Sequence, residues 1–232
     1  MNLIKNNTLF GFPVMRIKID QKSYDKKSII STIEKNFLLN KKRNLWDKRS
    51  VLHHAYNDFS NSKYHKINFD TLIPVYEKTL IGMFKNMELM SDYSFDFTII
   101  NYTCLSESNY MAPHYHPATD FTAVHYIQFD KKHHTSTIYE NSLAHAEYIN
   151  QLRPELVKIL SDKHSSNSRA HKSWFLGTEE DHFCLSPAFL NHRIDPQASK
   201  NKNRITIVLN IALKRNISKK TDDIRARPNK LK

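Results

Sequence analysis

Hydrophobic and polar positions divide the chain into a helical front half and a strand-rich back half. Residues 23–39 carry apolar side chains at helical spacing (Ile29, Ile30, Ile33, Phe37), and residues 70–90 do so through Leu72, Val75, Leu80, Met83, Phe84 and Met87. Asp70 is the expected N-cap of the second helix. An opening strand is predicted over residues 9–19. From Ser94 the period changes, and residues 95–105, 121–129, 136–139, 174–176, 182–186 and 204–213 predict strands. Residues 142–160 read as helical with an interruption at Pro154. Along 121–129, Phe121, Ala123, His125, Ile127 and Phe129 share a face. The last strand is the most informative. Ile205, Ile207, Leu209, Ile211 and Leu213 occupy one side, and Arg204, Thr206, Val208 and Asn210 the other. That division suits a barrel wall, with one face on supporting helices and the other lining a pocket. The apolar period ends after Lys214, so one domain over residues 1–215 and a basic flexible tail over 216–232 are expected.

Composition narrows the picture. The chain has 232 residues, 40% hydrophobic and 11% aromatic, enough for a substantial core in one domain. There are 3 glycines and no GxGxxG or GxxxxGK[ST], which argues against Rossmann and P-loop nucleotide binding. The formal net charge is +12. Its lysines form no single long block, so a basic surface is expected ahead of a dedicated polyanion-binding patch. Cys104 and Cys184 each sit in an apolar run outside any CxxC pair, which predicts buried free thiols and a reducing compartment. No apolar run approaches the roughly 18 residues that would span a bilayer, so a cytoplasmic, membrane-free protein is expected.

The candidate chemistry lies in three segments. His114 and His116 are two apart and leave the same face if that stretch is extended. Pro113 and Pro117 bracket them, as at the rim of a barrel. A second segment places His192 five residues after Pro187, and a third begins the last strand with Arg204-Ile205-Thr206. Chance HxH pairs are common among 13 histidines, but the order HxH, Pro-x4-His, Arg-x-Thr is far rarer. Imidazoles with open positions beside a permanently charged, fork-shaped arginine describe a metal site with an acidic co-substrate.

These residues resemble the 2-oxoglutarate/Fe(II)-dependent oxygenase superfamily, in particular a prolyl-hydroxylase-like branch of bacteria and their phages. The matching stretches are residues 9–19, 109–130 (NYMAPHYHPATDFTAVHYIQFD), 185–196 (LSPAFLNHRIDP) and 204–210 (RITIVLN). The resemblance implies a mainly β fold, a double-stranded β-helix (jelly-roll, cupin-like) core with flanking helices. It implies Fe(II), 2-oxoglutarate and O2, and hydroxylation of a substrate C–H with release of succinate and CO2. His114 and His192 match the family's two histidine ligands, Arg204 the arginine that pairs with the far carboxylate of 2-oxoglutarate, and Thr206 its hydroxyl partner. The family's carboxylate ligand would fall at position 116, where this chain has His116. Three readings of that departure stand: His116 is the third ligand, which its same-face geometry favours; Asp120 reaches in instead; or His116 only supports the ligands.

Tyr102, Tyr110, His125 and Tyr126 are candidate pocket residues, Tyr102 and Tyr110 as hydrogen-bond partners of 2-oxoglutarate. The competing expectation for these tyrosines is core or rim aromatics, and for His125 a core histidine with a satisfied ring. His53-His54 and His133-His134 read as solvated loop residues, and His182 is given no role. Two rival functions remain: a cupin-type metal enzyme that needs no 2-oxo acid, which the Arg204-Ile205-Thr206 segment disfavours, and a basic nucleic-acid-binding or assembly protein on a jelly-roll scaffold. The sequence names no substrate; a protein side chain, a nucleic acid and a small molecule are all compatible. It leaves the oligomeric state undetermined, and a phage-encoded protein acting in the host cytoplasm fits as well as a bacterial one.

Overall fold

The structure, a computed structural model, describes residues 4–9, 12–44, 47–56, 63–141, 172–199 and 201–216. Two antiparallel sheets face each other. The larger contains β1 (Lys5–Leu9), β2 (Phe12–Lys18), β3 (His53–Tyr56), β4 (Tyr93–Leu105), β6 (Phe121–Gln128), β9 (His182–Pro187) and β11 (Arg204–Arg215), in the order β1-β2-β9-β6-β11-β4-β3. The smaller contains β5 (Met111–His114), β7 (Ile138–Glu140), β8 (Ser173–Phe175) and β10 (His192–Ile194), in the order β5-β10-β7-β8. Chain-distant strands lie side by side in both, which is the jelly-roll architecture the sequence led us to expect.

Helices α1 (Lys26–Leu39) and α2 (Ile73–Asn86) cover the outer face of the large sheet. The Asp25 side chain caps α1 by accepting from the Ser28 N–H at 3.2 Å. Helix α2 starts three residues later than its predicted cap Asp70. Pro74 explains the shift: a proline lacks the N–H that a helix interior needs but fits the first turn, so the helix begins beside it. A single 3-10 turn follows at Leu89–Ser91.

The alternation read in the last strand is the division the fold uses. Ile205, Ile207, Leu209 and Ile211 enter the core beneath the helices together with Ile29, Ile33, Tyr76 and Phe84. A second apolar cluster lies between the sheets and includes Val14, Val124, Tyr126, Tyr139 and Cys184. Both cysteines are buried and free. Phe129, expected to share a face with Phe121 and Ile127, packs between the sheets because β6 ends at Gln128 and the strict period ends with it.

The predicted opening strand is a hairpin of β1 and β2, pairing Leu9 with Phe12. Strand β3 was not expected. His53-His54, read as solvated loop, is instead buried at the sheet edge against β4. Four residues without apolar alternation show no strand signal; pairing with Asn101–Cys104 creates the strand. The predicted helix over 142–160 and the tail beyond residue 216 lie outside the described residues. Among the described residues no helix is long and apolar enough to cross a membrane.

Candidate metal centre and its cavity

Strands β5 and β10 pair with His192 directly opposite His114. The expected strand carrying both His114 and His116 ends at His114, and the chain turns after His116, at Pro117 and Ala118. The His116 N–H donates to the Ala188 carbonyl at 2.9 Å, which fixes this stretch. His114, His116 and His192 therefore converge, with one ligand atom from each lying within 4.8 Å of the others.

Each ring is oriented through Nδ1. His114 Nδ1 lies 3.0 Å from the Ala112 carbonyl, His192 Nδ1 2.9 Å from the Leu190 carbonyl, and His116 Nδ1 2.9 Å from the Asn210 side-chain oxygen. Acceptors at all three Nδ1 positions place the protons there and give each Nε2 its lone pair. Burial holds the rings neutral: His114 is pushed down to about 4, and His116 and His192 are also lowered by desolvation. Three clustered, unprotonated imidazoles form a donor set that fits a divalent transition metal.

A cavity of about 330 Å³ opens on these rings. Asn101 and Thr103 from β4, Val124 from β6, and Thr206, Val208 and Asn210 from β11 line one side, and Met111, Tyr115, Pro117, Thr137 and Ile194 contribute to the other. None of its described lining residues is acidic. Arg204 is 0% exposed behind this lining. Its Nε donates to the Thr135 carbonyl at 3.0 Å and Nη2 approaches Thr137 Oγ1 at 3.5 Å, while the guanidinium carbon lies 5.0 Å from the Tyr126 ring centroid. Nη1 is buried with no partner. A buried guanidinium with an unpaired N–H is costly by itself, a cost that an anion reaching Nη1 would offset. Asn101 Oδ1 is a second buried, unpartnered polar atom, in the cavity wall. A larger hollow of about 1000 Å³ lies beside α2 and the first half of β4, with no histidine among its described lining residues.

Several sequence expectations need correction. Asp120 is exposed, and its Oδ2 accepts from the Leu213 N–H at 2.7 Å, so it ties the strand ends rather than joining the histidines. Tyr102 points to the helix side, where its hydroxyl accepts from Asn36 at 3.1 Å and meets His53 Nε2 at 3.3 Å; its neighbours Asn101 and Thr103 take the cavity face. Tyr110 is half-buried, pairs through its backbone with Val51 and does not line the cavity. Tyr126 is buried between the sheets, supporting Thr137 from behind with a 2.7 Å hydrogen bond. His125 is a core histidine, but its ring is only half satisfied: Nδ1 is 2.8 Å from the Tyr76 hydroxyl, while Nε2 has no hydrogen-bond partner. His54 is buried and lines the cavity. His134 is buried too, accepting from the Asp130 N–H and donating to the Lys202 carbonyl; His133 is exposed, as expected.

Thr206 lies in the cavity wall, its hydroxyl 2.6 Å from that of Thr103. Sequence reasoning missed Thr103, Thr137, Asn101 and the supporting role of Asn210. Alternation had already put Asn210 on the pocket face, whereas Thr137 sits just ahead of a three-residue strand with no periodic signal.

The fold is shared with prolyl hydroxylases. It superposes on a Pseudomonas putida prolyl-4-hydroxylase with a TM-score of 0.52 and 5% sequence identity, covering 87% of this chain and 92% of that one. It also superposes on a Trichoplax adhaerens prolyl hydroxylase, solved in complex with a hypoxia inducible factor peptide fragment, with a TM-score of 0.51 and 10% identity, covering 91% and 83%. No protein-family model matches the chain, and neither does any curated protein sequence.

Proposed function

We propose that the protein is an Fe(II)- and 2-oxoglutarate-dependent oxygenase that hydroxylates a substrate C–H. The observation that carries this reading is three imidazoles converging on one cavity, with the buried, unpaired Nη1 of Arg204 behind the cavity wall at Thr137. His114, His116 and His192 would hold the metal. Fe(II), when bound, supplies the redox chemistry that couples O2 to decarboxylation of the 2-oxo acid and oxidation of the substrate.

The chain's own groups bind and orient. Arg204 is locked in place by Thr135 and the Tyr126 face, and offers Nη1 to the far carboxylate of 2-oxoglutarate. The Thr206 and Thr103 hydroxyls bond each other at 2.6 Å, which leaves one hydroxyl hydrogen free to donate to the same anion. Val124, Val208, Met111 and Ile194 give the space apolar walls, and lower local polarity strengthens charge pairing. The unpaired Arg204 nitrogen also favours this reading over a cupin-type enzyme without a 2-oxo acid, which gives that cation no task.

Anaerobic titration with Fe(II) and 2-oxoglutarate tests the proposal. Wild-type protein should bind 2-oxoglutarate only when metal is present, with a weak visible absorption that needs both. His192→Ala should lose it, and Arg204→Ala should weaken 2-oxoglutarate binding by at least about 2 kcal/mol, the value of a charge-assisted pair. Metal binding without any effect of 2-oxoglutarate would support the cupin-type alternative. Absence of tight metal binding would leave the nucleic-acid-binding or assembly reading.

A further inference from the structure

Among the described residues, the charges facing the centre do not balance once the proposed ligands are in place. A divalent metal on three neutral imidazoles, the Arg204 guanidinium and a dianionic 2-oxo acid leave one positive charge uncompensated. A carboxylate at position 116 would cancel it, and this chain has His116 there. No described residue lining the cavity supplies the missing negative charge.

The described surroundings do not supply it either. The described carboxylate that acts on His114 is Asp47, and it is occupied: Arg49 grips it with Nε at 3.1 Å and Nη2 at 3.0 Å from its two oxygens. Arg49 also acts on His114, and Arg43 acts on His54 in the cavity wall. On the inner face of the large sheet, Arg16 and Arg204 both lie within electrostatic reach of the Cys184 thiol, and Arg16 keeps its Nε and Nη1 buried without partners. The Arg49 side chain is 73% exposed, on a molecule of net charge +12. A buried excess of one sign is costly unless a partner neutralises it, and a field of one sign draws the opposite charge in.

We infer that the substrate brings a negative charge to the metal-facing side of this cavity, as a carboxylate or phosphate ester beside the oxidised carbon. The inference rests on the proposed oxygenase reading and narrows its substrate to anionic molecules. In it, His116 is a specificity determinant: its neutrality as a donor creates the vacancy in charge that the substrate fills.

Protein loaded with Co(II) and saturated with 2-oxoglutarate provides a spectroscopic test that needs no turnover. Its ligand-field spectrum is followed during titration with acetate, methyl phosphate and acetamide, the last a neutral match for acetate. Equilibrium dialysis with labelled 2-oxoglutarate reports in parallel whether the co-substrate is bound and stays bound. We expect acetate or methyl phosphate to bind at least about tenfold more tightly than acetamide, and more weakly as salt rises. The tighter of the two identifies the anionic group. His116→Asp should weaken that anion at least about tenfold while leaving acetamide unchanged. Equal binding of acetate, methyl phosphate and acetamide, or no spectral response to any of them with 2-oxoglutarate retained, overturns the anionic substrate alone. Failure of 2-oxoglutarate to bind in the dialysis arm overturns the oxygenase reading, and this inference with it. Should His116→Asp not fold, the comparison of acetate with acetamide on the wild-type protein decides the question.

Discussion

Arg204 shows how one side chain can be poorly suited to the empty fold and well suited to a ligand. Its guanidinium is fully buried, holds one backbone hydrogen bond and one long contact to Thr137, and leaves Nη1 unpaired. Removing a buried, incompletely paired charge is often neutral or stabilising. Arg204→Met should therefore leave the melting temperature of the ligand-free protein unchanged or raised while abolishing stabilisation by metal plus 2-oxoglutarate; melts with and without both ligands would check it. A fall in the ligand-free melting temperature would mean that the bond to Thr135 outweighs the charge. Asn210 acts through its neighbour: its side-chain oxygen holds His116 Nδ1 at 2.9 Å and fixes which nitrogen faces inward. Asn210→Ala should weaken metal binding by about 10- to 100-fold in a competitive chelator titration, the usual loss when a partner of a metal-ligating histidine is removed.

At the scale of elements, β11 carries the site and the core on alternate residues, so a slip of one position would send the isoleucines into the cavity and Arg204 under the helices. Pairing with β4 from Arg204↔Leu105 to Arg215↔Tyr93, with one register irregularity between Val208 and Leu209, prevents that slip. Helix α1 is tied to the turn before β9 by a mostly buried polar cluster. Lys26 Nζ lies 2.8 Å from both Asp181 oxygens and from Glu180, and Tyr24 donates to Asp181 at 2.9 Å. Lys26→Ala would strand the Asp181 carboxylate in the interior. A loss of about 3–5 kcal/mol in denaturant unfolding is expected, with metal affinity retained below the midpoint, because α1 lies on the face opposite the histidines. An effect within the range of an exposed pair would show that water reaches Asp181.

For the molecule as a whole, several buried histidines stay neutral in the folded state. Burial pushes His125 down to about 3 and His54 to about 4. In the unfolded chain both take up protons near pH 6.5. Between those limits the unfolded state binds more protons, so stability rises with pH there. It should be fully present above pH 6.5 and fall as the pH drops toward 4, by a few kcal/mol in total, on the order set by such shifts. Denaturant unfolding of the metal-free protein across this range measures it; a flat profile would show that water or local opening reaches these rings.

Periodicity fixed the main strands, both described helices and the two faces of β11, because burial of one side of an element imposes a repeat that a single sequence displays. The spacing of His114, His116, His192 and Arg204 was equally legible, since metal and carboxylate binding demand particular side chains. The sequence could not show which candidate reaches the centre. Asp120 bonds the Leu213 backbone, Tyr102 bonds Asn36 beneath the helices, and His53-His54 becomes a strand by pairing with residues about fifty positions away. Those outcomes depend on partners from other strands, and so does the cavity itself: Thr137 and Asn101 gain their places because two sheets close over them. Local patterning determined the elements and the chemistry available. Only the tertiary contacts decided which way each side chain faces and which nitrogen of each imidazole is presented to a metal.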